Sequence, residues 1–205
     1  MRCGFLLLAP AILLSVPAGA APQARIETTL GTIVVMLDAE KAPATVANFV
    51  RYAKEGHFDG TVFYRVVPGF VLQAGSYKAG GVYKPEEHAP IPLESSNGLS
   101  NLRGAVAMAR SDEPVSATSE FFIDLADVNA TRLDPKPAAA PNTTGYAVFG
   151  HVTEGLDVVD KIAAVPLGGG KGPFPDFEPV VPVTILKVTI EEVPAAPEAT
   201  TTPAQ

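Results

Sequence analysis

A single cation lies within a strongly apolar stretch of this sequence. Arg65 is part of the run FYRVVPGFVLQAG, residues 63–75, in which most of its neighbours are apolar. An arginine in this setting either extends its charged head to water along an apolar stem or is held in a pocket where the charge is used. Composition alone favours the first alternative.

The other residue types that perform chemistry form no recognisable group. The three histidines, His57, His88 and His151, lack the spacing of metal ligands, and no G-x-S-x-G turn marks a serine nucleophile. Asp124 and Asp127 are candidate paired carboxylates, but their place just after an apolar run favours two groups that solvate a strand end. We therefore expect neither a metal nor a cofactor.

Composition and charge exclude some classes of function. The chain has 205 residues, of which 47% are hydrophobic and 18% charged, and this favours one folded domain with a packed core. Its formal net charge is −7, with 15 basic against 22 acidic residues. Because nucleic-acid binding requires a basic face, nucleic acid is not an expected partner.

The first residues have the pattern of a cleaved export signal. Arg2 gives a positive start, residues 5–16 are apolar, and the small residues at 18–20 form a cleavage site. The apolar segment is too short for a membrane anchor, which needs about 20 residues. We expect residues 1–20 to be removed and the mature chain, from Ala21, to be periplasmic or secreted and not inserted in the membrane. Since Cys3 is the only cysteine, that chain would contain no disulfide.

The elements that must position Arg65 begin with two strands and a helix. Residues 25–30 and 32–37 are β-type runs separated by Gly31. Pro43 and Gly56 then mark the start and the end of a helix. Its apolar residues recur at i, i+3, i+4 and i+7 and form one predicted buried face: Val46, Phe49, Val50 and Ala53.

Arg65 itself falls in a predicted hairpin. Residues 61–67 and 70–74 read as two strands joined by a tight Pro68-Gly69 turn. Side chains alternate across a strand. The pattern therefore predicts that Phe63 and Arg65 share one face and that Tyr64 points away from Arg65.

The rest of the chain adds short strands, a second helix and long loops. Strands are predicted at 104–109, 121–125, 147–152 and 183–191. A helix is predicted at 156–163, with Leu156, Val159 and Ala163 on one face. This count favours an antiparallel sheet, closed or nearly closed into a barrel, with helices that cap it. Pro-rich and Gly-rich loops occupy 134–145 and 166–179, and residues 194–205 form a flexible Pro/Ala/Thr tail.

Six motifs in one order make the pattern specific. They are APATVANFV (42–50), FYRVVPGFVLQAG (63–75), NGLSNLRGAVAMAR (97–110), SATSEFFIDL (116–125), GYAVFGHV (145–152) and GLDVVDKI (155–162). With these motifs the chain resembles the cyclophilins, a family of peptidyl-prolyl cis/trans isomerases, and most of all their exported bacterial branch. The resemblance covers residues 26–193.

The resemblance implies both a fold and an activity. The fold is mainly β, a closed antiparallel eight-stranded β-barrel capped by two α-helices, in a domain over residues 21–193. The activity is the acceleration of rotation about X-Pro peptide bonds in proline-containing polypeptides. It needs no cofactor, and we expect a monomer.

The resemblance also assigns roles to residues. The family's catalytic arginine falls on Arg65. Its proline pocket has Phe70, Phe122 and Leu133 as the floor, and Gln73 supports the arginine. The full set of family substrate-binding positions falls on Phe70, Val71, Gln73, Met108, Ala109, Arg110, Glu120, Phe122, Arg132, Leu133 and Tyr146.

Three positions depart from the family pattern. Tyr64 stands where histidine is usual, Glu120 where glutamine is usual, and Arg132 near a position that usually holds an aromatic residue. We expect Tyr64 to matter little. Glu120 and Arg132 bring opposite charges to the rim of the pocket, where they either pair or act separately on substrate choice.

Two alternative functions remain open at this stage. One is a module of the same fold that binds proline-containing segments with little turnover, as a chaperone would. The other is an unrelated exported β-barrel that binds a small apolar ligand, against which the six motifs argue.

Overall fold

The computed structural model describes residues 21–137 and 144–193. The predicted signal (1–20), the predicted tail (194–205) and the middle of the 134–145 loop lie outside the described residues. The strands are β1 (Ala21–Thr28), β2 (Gly31–Leu37), β3 (Arg65–Val67), β4 (Val71–Ala74), β5 (Tyr77–Lys78), β6 (Val82–Tyr83), β7 (Ala105–Met108), β8 (Phe121–Asp124), β9 (Val148–Glu154) and β10 (Ile185–Val193). The α-helices are α1 (Pro43–Lys54), α2 (Ala130–Leu133) and α3 (Leu156–Ala163).

Eight strands form one antiparallel sheet in the order β10-β1-β2-β9-β7-β8-β4-β3, and β5 and β6 pair separately. The mainly β class is confirmed. The predicted closure is wrong, because the sheet is an open half-barrel with β3 and β10 as its edges. Two α-helices were predicted, and the described residues contain three, of which α2 has only four residues.

The chain before β3 divides its backbone hydrogen bonds between β5 and the segment around the start of β10. The amide of Val62 donates to the Tyr77 carbonyl oxygen at 2.8 Å rather than across to β10. The two edges are still joined by backbone hydrogen bonds from the Gly60 amide to the Ile185 carbonyl oxygen and from the Ile185 amide to the Thr61 carbonyl oxygen, both at 2.8 Å. A bond from the Phe63 amide to the Val183 carbonyl oxygen at 3.0 Å and an isolated bridge between Val62 and Thr184 add to them. A three-residue β3 therefore ends the sheet.

Strand alternation divides the apolar residues between two sides of the sheet. Leu72, Val106 and Phe121 belong to the main core, inside the half-barrel and beneath α1 and α3. Their neighbours in sequence, such as Val71 and Phe122, belong to a smaller cluster on the other side. Burial of each such side chain stabilises the fold by about 1.5–3 kcal/mol. The small outer cluster is the one that builds the site.

Helix α1 begins and ends close to where its sequence predicted. Pro43 is its first residue, and Gly56 follows it at φ +69°, a value that favours glycine. The Glu94 carboxylate accepts hydrogen bonds from the backbone amides of Ala44 at 3.1 Å and Thr45 at 2.9 Å. This carboxylate from a distant loop satisfies the free amides of the first turn.

Helix α3 has the predicted bounds, and its predicted face is correct in part, because Val159 is fully buried and Ala163 packs against the core. Val158, Val159 and Ile162 are its buried residues, whereas Leu156 is exposed. Gly155 caps the start of this helix at φ +84°. Among the described residues, no helix has the length and apolar character needed to cross a bilayer.

Candidate active site

The outer faces of three adjacent strands build the floor of a pocket. Across β4, β8 and β7 the register places Gln73 beside Phe122 and Phe122 beside Ala107. The pocket above them has a volume of about 270 Å³. Its strand-borne and adjoining residues are Arg65, Val71, Gln73, Ala109 and Phe122. Helix α2 adds Leu133, and loops add Phe70, Arg110, Tyr146 and Phe174.

Arg65 lies in this pocket with its charge held in place. It is the first residue of β3 and pairs with Gln73 of β4. Its Nη1 donates to Gln73 Oε1 at 3.1 Å, and its Nε is buried without a hydrogen-bond partner among the described residues. Its Cζ lies 5.0 Å from the ring centroid of Phe174 and 6.0 Å from that of Phe70. Arg65 therefore lies in a pocket and does not extend freely to water.

The floor of the pocket is apolar and closely packed. Val71, Phe122 and Leu133 are each at least 93% buried and belong to the outer cluster. The rings of Phe122 and Tyr146 meet edge to face, with centroids 5.5 Å apart. A compact apolar ring such as that of proline fits a surface of this kind.

Four side chains form a hydrogen-bonded group that contacts Arg65 through Gln73: Gln73, Tyr64, Glu120 and Ser76. Gln73 Nε2 donates to Tyr64 Oη at 2.5 Å and to Glu120 Oε2 at 2.8 Å. Tyr64 Oη donates to the same Glu120 oxygen at 2.7 Å, and Ser76 Oγ donates to the other. Burial, followed by the Glu120 charge, holds the pKa of Tyr64 well above its ordinary value, so the hydroxyl stays protonated.

This group corrects the prediction for Tyr64. Regular alternation does not reach this residue, because β3 begins only at Arg65. Phe63 and Val66 both lie in the main core, and Tyr64 turns to the side of Gln73. Tyr64 is therefore part of the support of Arg65 rather than directed away from it.

Asn129 and Asp124 hold the loop that carries Phe70. Asn129 Nδ2 donates to the Phe70 carbonyl oxygen at 2.6 Å and to Asp124 Oδ1 at 2.7 Å. Asp124 is fully buried, so the prediction that it solvates a strand end was wrong. Burial raises its pKa to about 7, and the Asp134 charge adds to this, while the Asn129 bond opposes it.

Leu133 and Tyr146 are fixed to each other across the 134–145 loop. The Tyr146 amide donates to the Leu133 carbonyl oxygen at 2.9 Å. Gly145, at φ +59°, lies so close to the Leu133–Pro135 backbone that a Cβ would come within 2.4 Å of Pro135 N. Asp134 is held in turn by Asn101, whose backbone amide and Nδ2 both donate to it at 2.8 Å.

The remaining predicted site residues lie in different places. The Ala109 amide donates to the Glu120 carbonyl oxygen at 2.9 Å, and Arg110 stacks its guanidinium 4.7 Å from the Tyr146 ring centroid. Met108 lies in the main core, and its side chain does not line the pocket. Arg132 is exposed, with Cζ 6.0 Å from the Phe70 ring centroid.

Glu120 and Arg132 do not pair. The ion pairs of the described residues include neither side chain. Glu120 instead lines a second pocket of about 410 Å³ beside the first. The two pockets share Gln73, Ala109, Arg110 and Phe174.

The second pocket joins aromatic and acidic groups. Glu86 and Glu120 contribute two carboxylates to its wall. Its aromatic residues are Tyr64, Tyr77, Tyr83 and Phe174. Neighbouring rings are close, with centroids 4.6 Å apart for Tyr64 and Tyr77 and 5.4 Å for Tyr77 and Tyr83.

Sequence reasoning missed Phe174. This residue belongs to the 166–179 loop, which the pattern identified only as rich in glycine and proline. The signal that could have found it is a phenylalanine flanked on both sides by proline, in the segment GPFPDF. In 21–137 and 144–193, no three His, Cys, Asp or Glu side chains come together as a metal-binding group.

Comparisons with known proteins agree with this geometry. The sequence model of the family "Cyclophilin type peptidyl-prolyl cis-trans isomerase/CLD" matches residues 23–190. The chain belongs to this family. A "Peptidyl-prolyl cis-trans isomerase" of Acinetobacter baylyi is 43% identical over 188 residues, which are 90% of this chain and 94% of the relative.

Solved structures of the family share the fold at lower identity. Two crystal structures of a Cryptosporidium parvum cyclophilin type isomerase, one with the dipeptide Ala-Pro present, align with TM-scores of 0.65 and 0.64. Each is 20% identical to this isomerase; they cover 85% and 83% of it and 99% of their own chains. The protein is thus a cyclophilin-type peptidyl-prolyl cis-trans isomerase with the half-barrel fold described above.

Proposed function

We propose that this isomerase acts on X-Pro bonds of exported proteins and that Arg65 is its catalytic residue. The X-Pro amide rotates slowly because rotation disrupts amide resonance, with a barrier of about 18–20 kcal/mol. In the twisted transition state the proline nitrogen recovers its lone pair and becomes a hydrogen-bond acceptor. A guanidinium that donates to this nitrogen stabilises the twisted amide more than either planar form, which is the requirement for catalysis.

The observation that carries this proposal is the position of Arg65 at the wall of an apolar pocket. Gln73 engages one edge of the guanidinium, and Phe70 and Phe174 lie near it. Because the charge is fixed before substrate binds, little reorganisation accompanies the reaction. No bond to the substrate forms or breaks, so the pocket needs no nucleophile and no general base.

Arg65 and the apolar pocket together lower the barrier to rotation of the X-Pro bond. A charge-assisted hydrogen bond contributes about 1.5–3 kcal/mol, and each tenfold gain in rate requires about 1.4 kcal/mol. Arg65 therefore supplies one or two powers of ten. Exclusion of water from the amide and fixing of the proline ring on Phe122 and Leu133 supply the remainder.

The substrate class follows from the pocket floor. The buried surface of Val71, Phe122 and Leu133 suits a proline ring. The structure of the Cryptosporidium relative determined in the presence of the dipeptide Ala-Pro supports the same substrate class here. The chain segment at Ala109 and Arg110 borders both pockets, which supports a role for it in pairing with the substrate backbone.

The proposal that the substrates are exported proteins rests on the sequence of residues 1–20. A positive start, a short apolar segment and small residues before Ala21 are typical of a cleaved signal.

A magnetisation-exchange NMR experiment separates an isomerase from a module that only binds. The probe is a short Ala-Pro peptide in large excess over the mature protein. The proposal predicts exchange cross-peaks between the cis and trans resonances of the peptide within a second, whereas the free peptide exchanges over tens of seconds or longer. Resonances that shift or broaden with no cis–trans exchange would instead identify the binding module.

A further inference from the structure

The geometry points to Glu120 and Tyr64 as one positioning unit. We propose that they fix the side-chain amide of Gln73 so that its oxygen, and never its nitrogen, faces Arg65. This inference rests on the proposed function, since it concerns how Arg65 is held for catalysis. Glu120 and Tyr64 are the two departures from the family pattern that meet in space, 2.7 Å apart.

The chain of hydrogen bonds through Gln73 ends in a group that can only donate and in a group that can only accept. An arginine can only donate hydrogen bonds, and an ionised carboxylate can only accept them. Gln73 lies between the two, with Oε1 3.1 Å from Arg65 Nη1 and Nε2 2.8 Å from Glu120 Oε2. A glutamine amide has one accepting end and one donating end. Only one of its two orientations satisfies both neighbours.

Tyr64 strengthens this choice. Its hydroxyl donates its one proton to Glu120 and keeps its lone pairs for Gln73 Nε2, 2.5 Å away. Both hydrogens of the Gln73 amide therefore have acceptors on the side away from Arg65. Ser76 Oγ donates to the second oxygen of Glu120 and holds the carboxylate in place.

A neutral glutamine at position 120 would not fix the orientation of the Gln73 side-chain amide in the same way. Its amide can turn to present either an oxygen or a nitrogen to Gln73. The orientation of Gln73 would then depend on Arg65 alone, and the Gln73–Arg65 contact would be made for a smaller part of the time. Glu120 and Tyr64 thus act on the reaction through Gln73 and Arg65, without contact with the rotating bond.

The first test measures kcat and KM for Glu120→Gln, Tyr64→Phe and the double variant, using an uncharged Ala-Pro peptide. Each single variant should lose about three- to tenfold in kcat, the loss of one buried hydrogen bond, with KM changed by less than about twofold. Because the two residues act as one unit, the double variant should lose little more than the worse single variant. Glu154→Gln and Tyr52→Phe are the matched controls and should retain full activity.

The decisive comparison repeats Glu120→Gln in an Arg65→Ala background. A residue that acts through Arg65 can have no effect once Arg65 is absent. The Arg65→Ala variant should therefore have the same kcat with and without Glu120→Gln. An unchanged loss in that background would show that Glu120 acts directly on substrate or on the fold, and it would overturn the inference.

An exchange of residue types tests the donor and acceptor pattern itself. Gln73→Glu alone places two carboxylates side by side and should lower kcat. Gln73→Glu combined with Glu120→Gln restores an acceptor toward Arg65 and a donor toward its neighbour, and it should recover most of the loss. Absence of recovery, in a double variant that melts as the wild type does, would contradict the proposed unit.

The outcomes separate this inference from the proposed function. An inactive wild type, or a fully active Arg65→Ala variant, would refute the function. A wild type that depends on Arg65, with Glu120→Gln and Tyr64→Phe both fully active, would refute the positioning unit alone. The same result is readable without kinetics, since the Arg65 Nε–H resonance should broaden in Glu120→Gln and stay sharp in Glu154→Gln.

Discussion

The ring of Phe174 lies over the guanidinium of Arg65, with Cζ 5.0 Å from the ring centroid. The same ring stands nearly parallel to Tyr64, with centroids 6.2 Å apart. Phe174 lines both pockets and is 38% exposed, so it forms the wall between them. A residue of the Gly/Pro-rich loop thus contacts the proposed catalytic charge directly.

Glu178 holds this loop in place. It is 94% buried, and its Oε2 accepts a hydrogen bond from the Gly172 amide at 2.9 Å. Gly170 lies even closer to Glu178, since a Cβ at position 170 would overlap the Glu178 carboxylate. The successive glycines of this segment therefore allow the loop to close around a buried carboxylate and present Phe174.

Phe174→Leu should lower kcat/KM by about three- to thirtyfold, because a partly desolvated cation–π contact contributes about 0.5–2 kcal/mol and leucine retains only the bulk. The measurement is a protease-coupled assay on an Ala-Pro peptide. Phe177→Leu is the matched control, since Phe177 lies in the same loop, is 40% exposed and lines neither pocket. Equal activities of the two variants would show that Phe174 does not act on Arg65.

The second pocket should prefer a basic residue near the proline. Its two carboxylates and four aromatic rings suit a lysine or arginine side chain. Exposed charges contribute about 0.2–1 kcal/mol each, so the preference for Lys over Glu before the proline should be a few-fold in kcat/KM and should fade with salt.

Glu86→Gln tests this preference without disturbing the support of Arg65. Glu86 is exposed at the pocket wall, whereas Glu120 already accepts hydrogen bonds from three side chains. The ratio of Lys-Pro to Glu-Pro rates should fall in Glu86→Gln and stay constant in the neighbouring control Glu87→Gln. If the wild type, Glu86→Gln and Glu87→Gln have the same ratio of Lys-Pro to Glu-Pro rates at low salt, the second pocket does not select substrates by charge.

Asp124 should make stability depend on pH. Its folded-state pKa is about 7 against an ordinary value of 3.8, so the folded protein binds the extra proton between these values. The free energy of unfolding should therefore fall as the pH rises from about 4 to 7, by up to roughly 1.4 kcal/mol per pH unit, and then level off. The slope reflects the cost of ionising a buried carboxyl whose Oδ2 has no partner among the described residues.

Urea unfolding at several pH values checks this slope in wild type and Asp124→Asn. The asparagine cannot ionise, so the variant should gain stability relative to wild type as the pH rises through this window. Parallel curves for the two proteins would show that Asp124 keeps an ordinary pKa in the folded state.

The mature protein should begin at Ala21 and be found outside the cytoplasm. Intact-mass spectrometry of the exported protein measures the N-terminus directly. Because Cys3 is the only cysteine of the chain, a reductant should not change the melting temperature of the mature form. Recovery of the exported protein with residues 1–20 still attached would refute the cleavage site.

Much of the fold was predictable because the signals were local. The Pro68-Gly69 turn fixes the β3–β4 hairpin, and the bounds of α3 follow from its apolar spacing and the glycine before it. The open edge of the sheet was not predictable, because residues 60–63 form their backbone hydrogen bonds with segments that are distant in sequence, at Tyr77 and at 183–185. Local spacing contains no information on such a choice.

The site was predictable where a residue type is unusual for its surroundings. Arg65 was such a residue, and Phe122 and Leu133 followed from the family resemblance. Tyr64 was misjudged because alternation was extended past the start of β3. Phe174 was missed because its contact with Arg65 joins segments that are more than one hundred residues apart.

The central claim is that the guanidinium of Arg65 stabilises the twisted amide. Arg65→Ala and Arg65→Lys test it most directly, with Arg25→Ala as control, because Arg25 forms a surface pair with Glu191 far along the sheet. We predict that both Arg65 variants keep the wild-type melting temperature and bind an Ala-Pro peptide with little change in Kd. Both should lose at least about tenfold in kcat/KM, since lysine lacks the planar fork of donors. A folded Arg65→Ala protein with the kcat/KM of the wild type would contradict the account.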